Sequence, residues 1–352
     1  MKPKKYKVIV VDDSAVYRAL MTEILSSDPE LDVIATAIDP YEAREKIKQL
    51  NPDVITLDIE MPKMDGIQFL RNLMRLRPMP VVMVSSLTQH GAEATLKALE
   101  IGAIDYVPKP ESSKDAALLT NYRRLVVEKV KTAAQANVFA GPMNFTRQEP
   151  EKEKGRFNAH LCDVIAIGAS TGGTEAIRAI LKQLPEKMPP ILITQHIKAV
   201  FSKSFADRLD KNSKLTVKEL DVGQAPLVPG CVYVAPGDCH MVVTKRGDRL
   251  YASLHDAPPV NQHRPSVDIM FSSIAKVAGK RSLGILLTGM GQDGAAGLLE
   301  MRQSGSVTVA QDQASSVVWG MPRAAVEREA AGYVLALKDV AGFMTEYVYE
   351  KN

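Results

Sequence analysis

"DVIAIGASTGGTEAIRAIL", residues 163–181, decides how the second half of this chain folds. "DVIAIG" is a short apolar run and reads as a buried strand. "GASTGG" is a glycine-rich turn. "TEAIRAILKQL" then spaces its apolar residues as one face of a helix. Strand, tight turn and helix in that order open an α/β sheet, whose ligands sit at the carboxyl edge of the strands.

The turn itself has two readings. Gly168-Ala-Ser170-Thr-Gly172 fits G-x-S-x-G, in which a sharp turn lifts a serine nucleophile above the sheet edge. The rival is a dinucleotide loop. "GASTGG" is not G-x-G-x-x-G, and the next strand, "PPILITQH", ends in Gln195-His196 where a ribose-binding carboxylate belongs. A serine hydroxyl is a poor nucleophile until a base takes its proton. His196, ending the neighbouring strand, is the preferred base. His240 and His263 are weaker candidates, while His90, His160 and His255 lie in polar, loop-like contexts. "GILLTGMGQDGAAGL" (284–298) is another strand, glycine-rich turn and helix, and Asp293 lies in its turn. Asp293 is the candidate carboxylate for orienting the imidazole. Its alternative role is N-cap of the helix beginning near Ala295. The N–H of Thr171 and the helix N-terminus would face an oxyanion.

The same alternation fills the first 110 residues. "KVIVV" (7–11), "DVIAT" (32–36), "DVITL" (53–57), "PVVMV" (80–84) and "DYVP" (105–108) read as strands separated by helical patterns. The expectation is a doubly wound, five-stranded parallel sheet over 1–124. A linker follows over 125–158, including a helix. Its later part, "AGPMNFTRQEPEKEKGRFN", is too polar to fold alone. The second α/β domain spans 159–352, with a mostly parallel sheet and a β-hairpin insertion around 215–255.

Bulk composition narrows the function. The chain has 352 residues, enough for two domains, with 45% apolar and 24% charged residues. Its 44 basic and 41 acidic residues leave a net charge of +3, too balanced to suggest nucleic-acid binding. Three cysteines, none in a C-x-x-C, suit a reducing cytoplasm. No apolar run approaches the ~18 residues of a membrane span.

The first domain gathers chemistry at strand ends. Asp12 and Asp13 follow the first strand, Asp58 the third, Ser85 the fourth and Lys109 the fifth. Clustered carboxylates call for a hard cation such as Mg²⁺, and a carboxylate beside it can attack phosphorus. "VVDDS", "LDIEMPKMDG", "VSS" and "PKP" resemble, in order, the motifs of the receiver domain of two-component signalling. The resemblance implies phosphorylation at Asp58, with Mg²⁺ held by Asp12, Asp13, Asp58 and the Glu60 carbonyl. It also implies a switch made of Ser85, Tyr106 and the phosphate-sensing Lys109.

"GASTGGTEAI", "TQH" and "LTGMGQDGAAG" resemble the catalytic domain of the chemotaxis protein-glutamate methylesterases, the CheB family. That resemblance implies a Ser170–His196–Asp293 triad, with the Met290 N–H binding the oxyanion and Thr171 beside the serine. It implies hydrolysis of glutamate methyl esters in methyl-accepting chemotaxis receptors, and glutamine deamidation. A sensor kinase would be the phosphodonor, and the esterase step would need no cofactor. Two other classes stay open on residues alone. One is a receiver-regulated nucleotide-dependent oxidoreductase, and the other a non-enzymatic scaffold acting by protein contact.

Overall fold

The computed structural model describes residues 5–86, 88–110, 116–139, 155–157 and 161–351. The linker stretches 140–154 and 158–160, His160 among them, lie outside the described residues. The chain divides into two compact units, Met1–Pro142 and Met143–Asn352.

The first unit runs β1 (Tyr6–Val11), α1 (Ala15–Ser26), β2 (Leu31–Ala37), α2 (Pro40–Leu50), β3 (Val54–Asp58) and α3 (Gly66–Leu76). It continues with β4 (Val81–Ser85), α4 (Gln89–Ile101), β5 (Asp105–Pro108) and α5 (Ala116–Ala134). The five strands pair in parallel in the order β2-β1-β3-β4-β5. β3 and β4 are buried along their whole length, as continuous β-branched runs require of a sheet covered on both faces. Side-chain caps start the helices. Ser14 accepts from the Tyr17 N–H, and Asp39 accepts from the Tyr41 and Glu42 N–H groups. α5 runs across the domain boundary expected at 124/125.

The second unit contains β6 (Gly155–Phe157), β7 (Val164–Ala169), α6 (Gly173–Leu181), β8 (Ile191–Gln195), α7 (Ala199–Lys211) and β9 (Thr216–Glu219). β10 (Gln224–Pro226), β11 (Cys231–Val234), β12 (His240–Arg246), β13 (Arg249–His255) and α8 (Val267–Val277) follow. The unit ends with β14 (Ser282–Leu286), α9 (Ala295–Gln303), β15 (Val307–Gln311), α10 (Met321–Glu327), β16 (Tyr333–Leu335), α11 (Leu337–Val348) and β17 (Tyr349–Lys351).

Seven of these strands form one sheet in the order β16-β15-β14-β7-β8-β11-β9. Every neighbouring pair in it is parallel. Only part of the 215–255 stretch is an insertion. β9 and β11 complete the main sheet, while β10, β13 and β12 form a separate antiparallel sheet. β6, inside the stretch read as linker, pairs antiparallel with β17.

The core packs α8 and α9 against the sheet through Met270, Phe271, Ile274, Leu286, Leu298 and Met301, all fully buried. Each such side chain contributes roughly 1.5–3 kcal/mol of burial free energy. α8 comes so close to β7 that a Cβ on Gly168 would lie 2.2 Å from Val267 Cγ1. β7 sits where the strand order reverses, with β14 on one side and β8 on the other. Ser170, Asp293 and His196 follow these three neighbouring strands, at the crevice where α/β sheets bind ligands.

Candidate active site

Glycine makes the serine turn. Gly172 has a φ of 79°, a left-handed conformation that suits a residue without Cβ, and it caps the start of α6. The Ser170 N–H donates to the Thr288 carbonyl at 3.0 Å, and the Gly173 N–H donates to the Ser170 carbonyl at 2.7 Å. Gln195 Nε2 donates to the same carbonyl at 2.9 Å. A Cβ on Gly173 would lie 2.3 Å from Gln195 Oε1, so this buried amide needs the glycine.

His196 is tied to the serine turn by its backbone, whose N–H donates to the Ala169 carbonyl at 3.0 Å. Its ring nitrogen Nε2 lies 2.9 Å from Asp293 Oδ2. An ionised carboxylate only accepts, so Nε2 carries the proton and Nδ1 is the basic nitrogen of the neutral ring. Nδ1 is buried and has no hydrogen-bond partner among the described residues. The His263 ring stacks on His196, with centroids 3.7 Å apart and planes 11° from parallel.

Asp293 does not cap the helix that follows it; the N-cap of α9 is Gly294, with no side-chain cap. It reaches the N-terminus of α8 instead. Oδ2 accepts from the Val267 N–H at 2.7 Å, and Oδ1 accepts from Ser266 Oγ at 2.8 Å and Asn261 Nδ2 at 3.0 Å. Burial pushes the Asp293 carboxyl up. The hydrogen bond and charge of His196, with the donors from Asn261 and Val267, outweigh that and hold it well below the usual carboxylate range.

The Gly289–Met290 turn lies against the serine, since a Cβ on Gly289 would meet Ser170 Cβ at 2.8 Å. The Gly289 carbonyl accepts from Gly320 and Met321 N–H groups at 3.1 and 2.8 Å. In a planar trans peptide the Met290 N–H points the opposite way. The Thr171 carbonyl accepts from Thr288 Oγ1 at 2.9 Å.

His240, which opens β12, has a different role. It is fully buried, its Nδ1 accepts from the Ser266 N–H at 3.1 Å, and its Nε2 lies 3.1 Å from the Pro258 carbonyl. Both nitrogens are used in holding the loop before α8.

In the first unit, carboxylate oxygens of Asp12, Asp13 and Asp58 lie within 4.8 Å of one another. Lys109 Nζ stands 2.9 Å from Asp58 Oδ2 and 3.2 Å from Asp12 Oδ2, and 4.6 Å from the centre of the Tyr17 ring. Burial and the Asp12 charge push Asp58 up to about 6, with Lys109 pulling against them. Asp12 Oδ2 is buried, and the Lys109 ammonium is the charge that faces it. Three carboxylates converging within 4.8 Å, with one lysine among them, are a hard-oxygen donor set that fits a divalent cation such as Mg²⁺. Ser85 Oγ is engaged by α4, lying 2.8 Å from Thr95 Oγ1 and 3.3 Å from the Gly91 carbonyl. Tyr106 is buried, with Lys129 Nζ 4.7 Å from its ring centre.

Sequence reading missed Asn261, Ser266, Gln195 and Thr95 as parts of these sites. Ser266 alone carried a local signal, as the capping serine before "VDIMF".

Comparison with known proteins agrees with this architecture. A family model described as CheB methylesterase matches residues 165–344, about half the chain, and one described as response regulator receiver domain matches residues 8–122. A protein-glutamate methylesterase/protein-glutamine glutaminase 2 of Vibrio vulnificus (strain YJ016) is 56% identical, covering 98% of this chain and 99% of its own. The chain belongs to the CheB methylesterase family. It is a hydrolase with a receiver domain, as the motifs implied. A protein-glutamate methylesterase/protein-glutamine glutaminase of Chromohalobacter salexigens is 53% identical, covering 97% of this chain and 95% of its own. The crystal structure of the CheB methylesterase catalytic domain of Thermotoga maritima is 35% identical. It covers 53% of this chain and 99% of its own, with a TM-score of 0.52. The oxidoreductase and scaffold readings give way to the family's methylesterase activity.

Proposed function

We propose that this CheB-family enzyme demethylates glutamate γ-methyl esters of chemotaxis receptors, and deamidates receptor glutamines, with Ser170, His196 and Asp293 as its triad. The observation that carries the reading is the 2.9 Å contact of His196 Nε2 with Asp293, which leaves Nδ1 as a bare base beside the serine turn. In this reading Nδ1 takes the Ser170 proton as Oγ attacks the ester carbonyl. Asp293 stays ionised, fixes the tautomer and stabilises the imidazolium. The Met290 N–H, with that of Thr171, receives the oxyanion, where one donor is worth roughly 3 kcal/mol of barrier. The imidazolium returns its proton to the departing methoxide, so methanol leaves. Water then hydrolyses the acyl-enzyme by the same route. A primary amide offers the same carbonyl, with ammonia as the leaving group.

The receiver supplies control. Asp58 is the proposed phosphoryl acceptor, with a chemotaxis sensor kinase as donor. Asp12, Asp13 and Asp58 would hold Mg²⁺, with the Glu60 carbonyl. The bound ion would offset phosphoryl charge. Lys109 would pair with the phosphoryl oxygens, while Ser85 and Tyr106 change contacts. The domain limits proposed for this machinery are 1–124 and 159–352, joined by 125–158, and the enzyme's place is the cytoplasm. Among the described residues no helix is long and apolar enough to cross a membrane.

Methanol release from methylated receptor membranes tests the reading, with wild type and Ser170→Ala compared with and without a small phosphodonor and Mg²⁺. Release that depends on Ser170 and rises with the donor is expected. Release that survives Ser170→Ala would remove the serine from the mechanism.

A further inference from the structure

Behind the triad lies a second carboxylate. Asp268 belongs to the first turn of α8, whose N-terminus already holds Asp293. Asp268 Oδ1 accepts from the Gly297 N–H of α9 at 2.7 Å, and Oδ2 accepts from Asn261 Nδ2 at 2.8 Å. The same Asn261 nitrogen reaches Asp293 Oδ1 at 3.0 Å. One amide nitrogen has two hydrogens, and here each carboxylate takes one. The backbone aims this amide with some effort. Asn261 has a φ of 51° and Gln262 a φ of 67°, in the left-handed region that asparagine tolerates better than most residues. Reciprocal N–H···O=C bonds between Val260 and His263, 3.0 and 2.9 Å long, close the turn around them.

We propose that Asn261 and Asp268 are positioning residues for the esterase reaction. Through the Asn261 amide, Asp268 sets a second negative charge behind Asp293 and stabilises the imidazolium formed at His196. The proposal rests on the triad reading above. Other titratable or charged groups around this unit include His263, stacked on His196, His240, behind Ser266, Arg264, paired with Asp256 at 2.8 Å, and Arg328, whose Nη2 donates to Gln292 Oε1. Asp268 is a group whose charge can be present or absent in the working range, because burial and the Asp293 charge push its carboxyl up to about 6.

The sign of the effect is definite. Removing the Asp268 charge makes the imidazolium less stable, so the His196 ring must titrate at lower pH. The test is an NMR titration of the His196 ring in the full-length enzyme. It is paired with the pH profile of methanol release from a peptide carrying a glutamate γ-methyl ester. Asp268→Asn is expected to lower the His196 pKa by about one unit and to lower kcat about tenfold with KM unchanged. Asp268→Ser, which keeps an acceptor for the Gly297 N–H, gives the same direction and serves if the asparagine variant does not fold. The Asn261→Ala/Asp268→Asn double variant loses no more activity than the worse single variant, because both act along one connection. An unmoved His196 titration in both Asp268 variants overturns the proposal even if activity falls, since lost packing would then account for the fall. If wild type releases no methanol, the triad reading fails, and the ring titration still decides whether Asp268 acts on His196.

Discussion

At the scale of single residues, the site turns on which nitrogen of one ring is bare. His196 gives Nε2 to Asp293 and keeps Nδ1. Ser170→Ala should reduce ester hydrolysis by roughly 10⁴-fold or more, measured as methanol release, with the melting temperature little changed. Asp293→Asn tests the tautomer. An amide turned to donate to Nε2 would move the ring proton to Nδ1, where it blocks the base, and kcat should fall by a factor on the order of 10³–10⁴. A variant that keeps most of its kcat would mean that Asp293 does not set the tautomer.

At the scale of elements, the proposed triad depends on how closely α8 approaches β7. Val267 both holds Asp293 by its N–H and fills the space above Gly168. Gly168→Ala should therefore push α8 away from the proposed triad, costing about 1–3 kcal/mol of stability and much of the activity. Val267→Ala in the same chain should restore part of both, as read by denaturant titration and methanol release. In the receiver, α4 holds the Ser85 hydroxyl through Thr95. Thr95→Val keeps the shape and removes a buried hydrogen bond worth about 1 kcal/mol, which favours states with Ser85 elsewhere roughly fivefold. Faster phosphorylation of Asp58 from a small phosphodonor is expected, and an unchanged rate would show that Thr95 does not restrain the switch. These element contacts mark where the sequence stopped being legible. Ser170 and His196 directly follow apolar strands and Asp293 lies in the glycine-rich turn after another, so strand patterns and turn motifs together placed them at one edge. Asn261 and Ser266 sit in a loop with no period, and their purpose appears only once α8 stands against β7. Asp293 was open to a capping role on its own helix because a cap is local, while its actual partners come from across the sheet. β9 and β11 read as part of an insertion because alternation identifies a strand but not the neighbour it pairs with.

At the scale of the whole molecule, pH acts on stability through the same carboxylates in opposite directions. Asp293 is depressed, so its contribution is present above the unfolded carboxylate value of about 4 and is lost as pH falls below it. Asp268 is raised to about 6, so its contribution is fully present below about 4 and is lost as pH rises through 6. The melting temperature of Asp268→Asn relative to wild type should therefore climb between pH 4 and 7, and a difference independent of pH would contradict the assignment. Stability gained and turnover lost in one variant would identify a charge retained for catalysis and not for folding. The pairing of β6 with β17 has a different consequence. It brings the first and last strands of the second unit side by side, which makes that unit nearly a closed ring of chain. A short bridge joining them would allow the ring to be reopened at Gly247, the turn between β12 and β13, where nothing stands within 4 Å of an added Cβ. Such a circular permutant should keep all three strands that carry the proposed triad uncut and still hydrolyse its ester, because the chemistry depends on which strands are neighbours and not on where the chain begins.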